Sequence, residues 1–138
     1  MKKLLFTFVL SLVGVFSFAQ IEGKWKTIDD ETKQAKSIVE ITKDSKGVYK
    51  AKVVQLLIKP EDPNCSKCKD DRKNKPILGM DVIRGVVKKG DEFSGGKITN
   101  PKDGKSYNVE LEREGNTLLV KAIVLGIAVK TQVWHKVN

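Results

Sequence analysis

At 138 residues, with 26 lysines and arginines against 17 acids (a formal charge of +9), two cysteines and one histidine, the chain has room for one domain around one core. Two cysteines and a lone imidazole cannot by themselves complete a four-ligand Cys/His zinc site. The surplus charge is nearly all lysine, with arginine only at Arg72, Arg84 and Arg113, and acids are interleaved with it. That is the composition of a solvated surface rather than of an arginine-based reader of phosphates or bases, so no nucleic-acid partner is expected.

The first element in chain order is MKKLLFTFVLSLVGVFSFAQ. Lys2 and Lys3 form a positive start, Leu4 to Phe16 an apolar run, and Ser17-Phe18-Ala19 a small-x-small cleavage site, which together predict a secretory signal peptide over residues 1–19. The apolar run is too short to serve as a transmembrane anchor, and no cysteine stands at the cleavage point to accept a lipid. The expected product is a single domain over residues 20–138, exported to the periplasm or beyond and monomeric, with 24 cations against 17 acids.

Downstream, short segments rich in β-branched residues alternate with turn signals, and no long amphipathic helix is apparent. Strands are predicted at Gly23 to Ile28, Lys36 to Thr42, Val48 to Leu57, Val82 to Lys88, Glu92 to Thr99, Ser106 to Arg113, Thr117 to Val124 and Ala128 to Val137. Ser45-Lys46-Gly47, Lys89-Gly90-Asp91, Asp103-Gly104 and Gly115-Asn116 supply tight connections that tolerate positive φ. The fold class is therefore all-β: an antiparallel up-and-down meander of about eight strands that closes into a small barrel, which hides its apolar face and removes its edges. Alternation points Trp25 and Thr27, Val39 and Ile41, Tyr49, Ala51 and Val53, Tyr107, Val109 and Leu111, and Leu118, Val120 and Ala122 inward. The last strand is less regular, with Val129, Val133 and Val137 on one face and Trp134 on the other.

A long loop, 58–76, breaks the rhythm with three prolines, a dense set of charges and both cysteines, in DPNCSKCKDD. An oxidising address favours a disulfide between Cys65 and Cys68, whose small ring contributes only about 2 kcal/mol and shapes an external turn. The alternatives are a redox pair, which needs a helix N-terminus to activate a thiol, and a metal site completed by His135 or by Asp62, Asp70 and Asp71. Catalytic residues, metal ligands and cofactors are otherwise not predicted: His135 has no nucleophile or acid beside it, and Ser94-Gly95-Gly96-Lys97 lacks phosphate-loop spacing and reads as a β-bulge or close backbone approach. Trp25, Tyr49, Tyr107 and Trp134 are the candidate lining of a ligand cavity, or else core filling.

Taken together, GKWKTIDDETKQAKSIVEI, DPNCSKCKDDRKNKPILGM, GDEFSGGKITNPKDGKSYNVELE and GIAVKTQVW resemble the bacterial secreted domain-of-unknown-function family 2147 across nearly the whole exported chain. The resemblance implies a lipocalin-like barrel of uncertain biochemical function, and it transfers no catalytic residue. Gly23-x-Trp25 is similar to the first-strand motif of lipocalins, in which the tryptophan closes one barrel end against a basic residue of the last strand. That makes Trp25 and Lys136 the candidate barrel-closing pair, with lysine standing where the family tends to have arginine. Asn100-Pro101 and Val129-Lys130 also depart from the family pattern. The expected role is non-enzymatic binding of a small apolar or amphipathic ligand or of a cell-envelope component. The alternatives are an envelope protein-interaction module and a Cys-x-x-C thiol oxidoreductase.

Overall fold

A computed structural model describes residues 20–138, and the expected signal segment lies outside the described residues. Eight strands follow one another: β1 (Gly23–Ile28), β2 (Ala35–Lys43), β3 (Val48–Leu56), β4 (Asp81–Lys89), β5 (Glu92–Thr99), β6 (Ser106–Glu114), β7 (Thr117–Val124) and β8 (Ile127–Lys136). Each pairs antiparallel with the next, and β8 returns to β1 to close the barrel. The predicted class is the observed one, and no predicted strand end is displaced by more than one residue.

The alternation that predicted the strands also builds the core. Trp25, Val39, Ile41, Tyr49, Ala51, Val53, Val109, Leu111, Leu118 and Val120 are buried in one apolar cluster, while Lys24, Lys50 and Lys52 between them face solvent or its edge. At the bend predicted in β5, the register shifts between Phe93 and Gly96. A Cβ on Gly96 would stand 2.3 Å from the Arg84 carbonyl oxygen, so glycine is what lets β4 and β5 approach there. Turns are fixed by their own side chains. Asp44 accepts the N–H groups of Lys46 and Val48 at 2.8 and 3.0 Å, and Gly47 supplies the positive φ that follows.

The barrel has two unlike ends. The start of β1 and the end of β8 meet at a lid end, together with the tight β2–β3, β4–β5 and β6–β7 turns. The opposite, loop end gathers the β1–β2 connection, the 57–80 loop, the β5–β6 turn and the β7–β8 hairpin tip. β8 pairs with β7 along its length but with β1 only at Trp25↔Lys136 and Lys26↔His135. This explains the irregular last strand: Trp134 turns inward and is buried, whereas Ile127, Val129 and Val133 lie where the hairpin runs past β1 and stay exposed.

The long loop is the main correction. Cys65 and Cys68 do form a disulfide, but the sulfurs do not merely shape an external turn; both cysteines are buried in the same apolar cluster as the barrel core. Oxidation removes both thiol protons and leaves apolar sulfur surface, which gains by being covered. The loop is also stitched internally, with the Cys65 N–H donating to the Lys75 carbonyl (2.8 Å), the Asn74 N–H to the Cys65 carbonyl (2.9 Å) and the Ile77 N–H to the Pro63 carbonyl (2.8 Å). It docks on the β5–β6 turn, where Cys65 Sγ lies 3.6 Å from the Pro101 carbonyl oxygen.

Candidate functional site

At the lid end, the Trp25 indole is fully buried and donates its N–H to the Ile21 carbonyl at 2.8 Å. Lys136 Nζ stands 5.0 Å from the ring centroid and donates to the Glu22 carbonyl at 3.3 Å. A second cation, the Arg113 guanidinium of β6, lies 5.4 Å from the same ring and donates to the Gln20 and Gly115 carbonyls. Two cations thus lie against one indole ring, and each also holds a carbonyl of the chain start across this end. Burial, and then the charge of Arg113, push the Lys136 ammonium below its ordinary pKa. The candidate partner read from the sequence was Lys136 of the last strand; β6 adds a planar cation, Arg113, beside it. The scarcity of arginine was the signal that could have found Arg113.

The other two arginines tether the loop. Arg72 is buried; its Nε donates to both oxygens of Asp70 (3.0 and 3.1 Å), Nη1 to the Asp81 carbonyl and Nη2 to Thr99 Oγ1 (2.9 Å), which in turn bonds the Ser106 hydroxyl at 2.6 Å. Arg84 on β4 grips both carboxylate oxygens of Asp71 at 2.7 and 3.0 Å. Such forked pairs suit arginine and not lysine. The hydrogen bonds from Arg72 hold the Asp70 carboxyl well below the usual carboxylate range, and those from Arg84 lower Asp71. A depressed carboxyl contributes stability above its unfolded pKa, about 3.9, and loses it as pH falls toward the folded value. Unfolding midpoints measured from pH 6 down to about 2 are therefore expected to fall more steeply for the parent than for Asp70→Asn. Parallel curves would remove Asp70 from the account.

Three of the four candidate ligand residues, Trp25, Tyr49 and Trp134, share the buried apolar cluster, and Tyr107 lies apart from it. Trp25 and Trp134 are 0% and 2% exposed and fill the interior. Tyr49 stacks edge-on to Phe93 at 5.4 Å and borders an open cleft of about 480 Å³ with Thr42, Lys50 and Arg84. Tyr107 alone faces the loop end, where it borders a cleft of about 470 Å³ between the cysteine loop and the β5–β6 turn, with Lys69, Asp70, Thr99, Lys105 and Ser106.

The mouth at this end mixes polar and apolar groups. Thr27 and Ser37 share a hydroxyl bond of 2.7 Å, Trp134 donates its indole N–H to Gln132 at 3.1 Å, Gln132 donates to Asp30 at 3.0 Å, and Lys130 pairs with Asp30 at 2.6 Å. That pairing raises the Lys130 pKa. Apolar inward positions continue beyond them: Val124, which pairs with Ile127, follows Ala122 and Val120 on the same face of β7 and is 40% exposed, and Ile127 is 67% exposed. Asp30 and Gln132 were not singled out in the sequence, and Lys130 only as a departure from the family pattern, because only barrel closure sets β8 beside the β1–β2 connection.

The thiol oxidoreductase alternative finds no support in this geometry. Both cysteines are buried, and no helix exists among the described residues to activate a thiol.

Protein HP1028 from Helicobacter pylori, described as belonging to the lipocalin family, is structurally similar, with a TM-score of 0.74 at 21% sequence identity over 87% of this chain and 84% of that one. At this identity the likeness carries the fold, a lipocalin-like closed barrel. No curated protein matches the chain. The model of the family described as uncharacterized proteins conserved in bacteria (DUF2147) matches residues 23–136, and the chain belongs to that family.

Proposed function

We propose that this protein is an exported, non-enzymatic binding protein that takes a small amphipathic molecule at the loop end of its barrel. A lipocalin-like fold suits ligand binding in general, and the disulfide suits an oxidising, exported setting. The observation that carries the reading is the pair of exposed apolar residues Val124 and Ile127 at the end of the β7–β8 hairpin, next along those strands from the polar chain Trp134–Gln132–Asp30–Lys130, at the end that the lid does not close. A ligand with both an apolar and a polar part would find partners for each there, and an ordinary hydrocarbon would leave the polar side unpaired.

Purification from the exported fraction of the producing bacterium, followed by extraction and mass spectrometry, tests this. A stoichiometric amphiphile is the expected result. A protein that carries nothing and binds no amphiphile in solution would contradict it.

A second reading, docking to another envelope protein, draws support from the β7–β8 tip. Leu125 is 95% exposed and holds a left-handed φ of 51°, next to exposed Ile127 and Val129. Glycine or asparagine would form that turn at lower cost, so a leucine there is explained better by a contact than by the turn itself. Capture of one stoichiometric envelope protein that Leu125→Asp no longer captures would favour this reading.

A further inference from the structure

The last strand leaves part of one edge without a strand beside it. β8 pairs with β7 along its length, but with β1 only at Trp25↔Lys136 and Lys26↔His135. Past Lys26 the two part, where β1 shifts register against β2 between Thr27 and Ile28 and runs on into its connection. The Lys136 N–H donates to the Asn116 carbonyl on the β7 side, and the Val137 N–H to the Lys24 carbonyl on the β1 side. Backbone groups of a strand turn to alternate sides, so Val133 and Thr131 direct theirs, as Val137 and His135 do, away from β7. Among the described residues, no backbone group of residues 127–133 bonds outside β7. Such an edge is a template for another strand.

The side chains along it suit one. Val129, Thr131 and Val133 are β-branched and exposed, and Leu125 at the hairpin tip is almost wholly in water. Asp30, in the β1–β2 connection, reaches the Lys130 and Gln132 side chains and leaves the backbone of the edge alone. Charge narrows the choice of partner. The exported chain carries 24 cations against 17 acids, so two copies repel over most of their surface. From Val124 to Trp134 the only charge is Lys130, which Asp30 already pairs, and Lys121 across the ladder is paired with Glu112 at 2.8 Å. An acidic strand would find no unpaired cation here to recognise, whereas a second copy would meet no unpaired like charge.

We infer that this edge pairs with the same edge of a second copy of the chain, antiparallel about a two-fold axis at Val129. A two-fold axis makes one strand its own antiparallel partner. The position of the axis follows from what already occupies the edge. Centred on Thr131, the pairing would set residue 127 of the other copy against His135, where β1 sits; centred on Val129, it ends with Leu125 against Val133, just short of β1. Val129 then meets its own counterpart, and the exposed leucine of the tip is covered by a valine. This inference goes beyond the ligand-binding reading and gives the tip a different partner from the envelope protein of the second reading.

The test is sedimentation equilibrium of residues 20–138 from about 10 to about 500 µM, paired with hydrogen exchange at both ends of that range. The parent is expected to pass from monomer to dimer as the concentration rises, with exchange of the Thr131 and Val133 amides slowing at least about tenfold. Val129→Lys sets two cations face to face at the axis, and because Val129 is exposed the substitution leaves the barrel core untouched. That variant is expected to remain monomeric, with both amides exchanging fast throughout. A parent that stays monomeric over the whole range would overturn the inference, and so would a dimer that Val129→Lys leaves intact or in which these two amides remain fast. Capture of a different protein by a monomeric parent would overturn it in favour of the second reading.

Discussion

Trp25→Ala is expected to cost about 3–5 kcal/mol of unfolding free energy, the largest single loss that the lid end offers. The indole is 0% exposed, so its removal opens a cavity that a closed barrel has little freedom to collapse. Two further effects act in the same direction. The Ile21 carbonyl, itself in a fully buried residue, loses the indole N–H, and Lys136 and Arg113 are left beside an empty space. Trp25→Phe separates these contributions: it keeps most of the packing, gives up the N–H, and should cost roughly half as much. Denaturant unfolding followed by far-ultraviolet dichroism measures both, and in Trp25→Ala the sole remaining tryptophan, Trp134, reports on the interior. A loss below about 1 kcal/mol for the alanine variant would mean that the lid is not a packed element of the fold.

Gly104→Ala should be the most damaging conservative change at the loop end. A Cβ there would sit 1.9 Å from the Lys67 carbonyl oxygen and 2.4 Å from its carbonyl carbon, both backbone atoms, and the glycine φ of +72° adds strain for any other residue. The backbone term is about 1–2 kcal/mol and overpacking adds about 1–3 kcal/mol. Gly115 supplies the control: it has a φ of +58° with nothing within 4 Å of its would-be Cβ, so Gly115→Ala carries the first term alone. The difference between the two variants is the part due to docking of the cysteine loop. Hydrogen exchange should localise it, with amides of Cys65, Asn74 and Ile77 losing protection in Gly104→Ala and keeping it in Gly115→Ala. Equal destabilisation of the two would show that the loop rests on the turn without being held by it.

The two ends of this barrel carry different duties. The lid end spends its aromatic and cationic side chains on closure, and its polar groups are satisfied within the protein: Trp25 on Ile21, Lys136 on Glu22, Arg113 on Gln20 and Gly115. At the loop end, by contrast, Val124, Leu125 and Ile127 stay in water and an open cleft lies between the cysteine loop and the β5–β6 turn. An asymmetry of that kind is why binding is assigned to the loop end.

What the sequence determined by itself is the sheet. A two-residue alternation is a local property, and Tyr49, Ala51 and Val53 set against Lys50 and Lys52 specify which face of β3 is buried without reference to any other strand. The turns are local as well, since Asp44 and Gly47 satisfy their connection within five residues, and the chain order of short links leaves a meander that closes. The pairing of Cys65 with Cys68 belongs to the same class, being carried by a four-residue motif.

Only the tertiary structure decided what those motifs meet. Arg113 reaches Trp25 from β6, Arg72 reaches Thr99 from a loop 27 residues earlier, and Gln132 reaches Asp30 across 102 residues, and no local pattern encodes such separations. Burial of the disulfide was decided in the same way. Four residues enclosing two sulfurs look like an exposed turn until the β5–β6 turn, set beside the loop by the pairing of β4 with β5, packs against them. Closure is a long-range condition on every strand at once, and so the residues it brings into contact are set by the shape of the whole barrel.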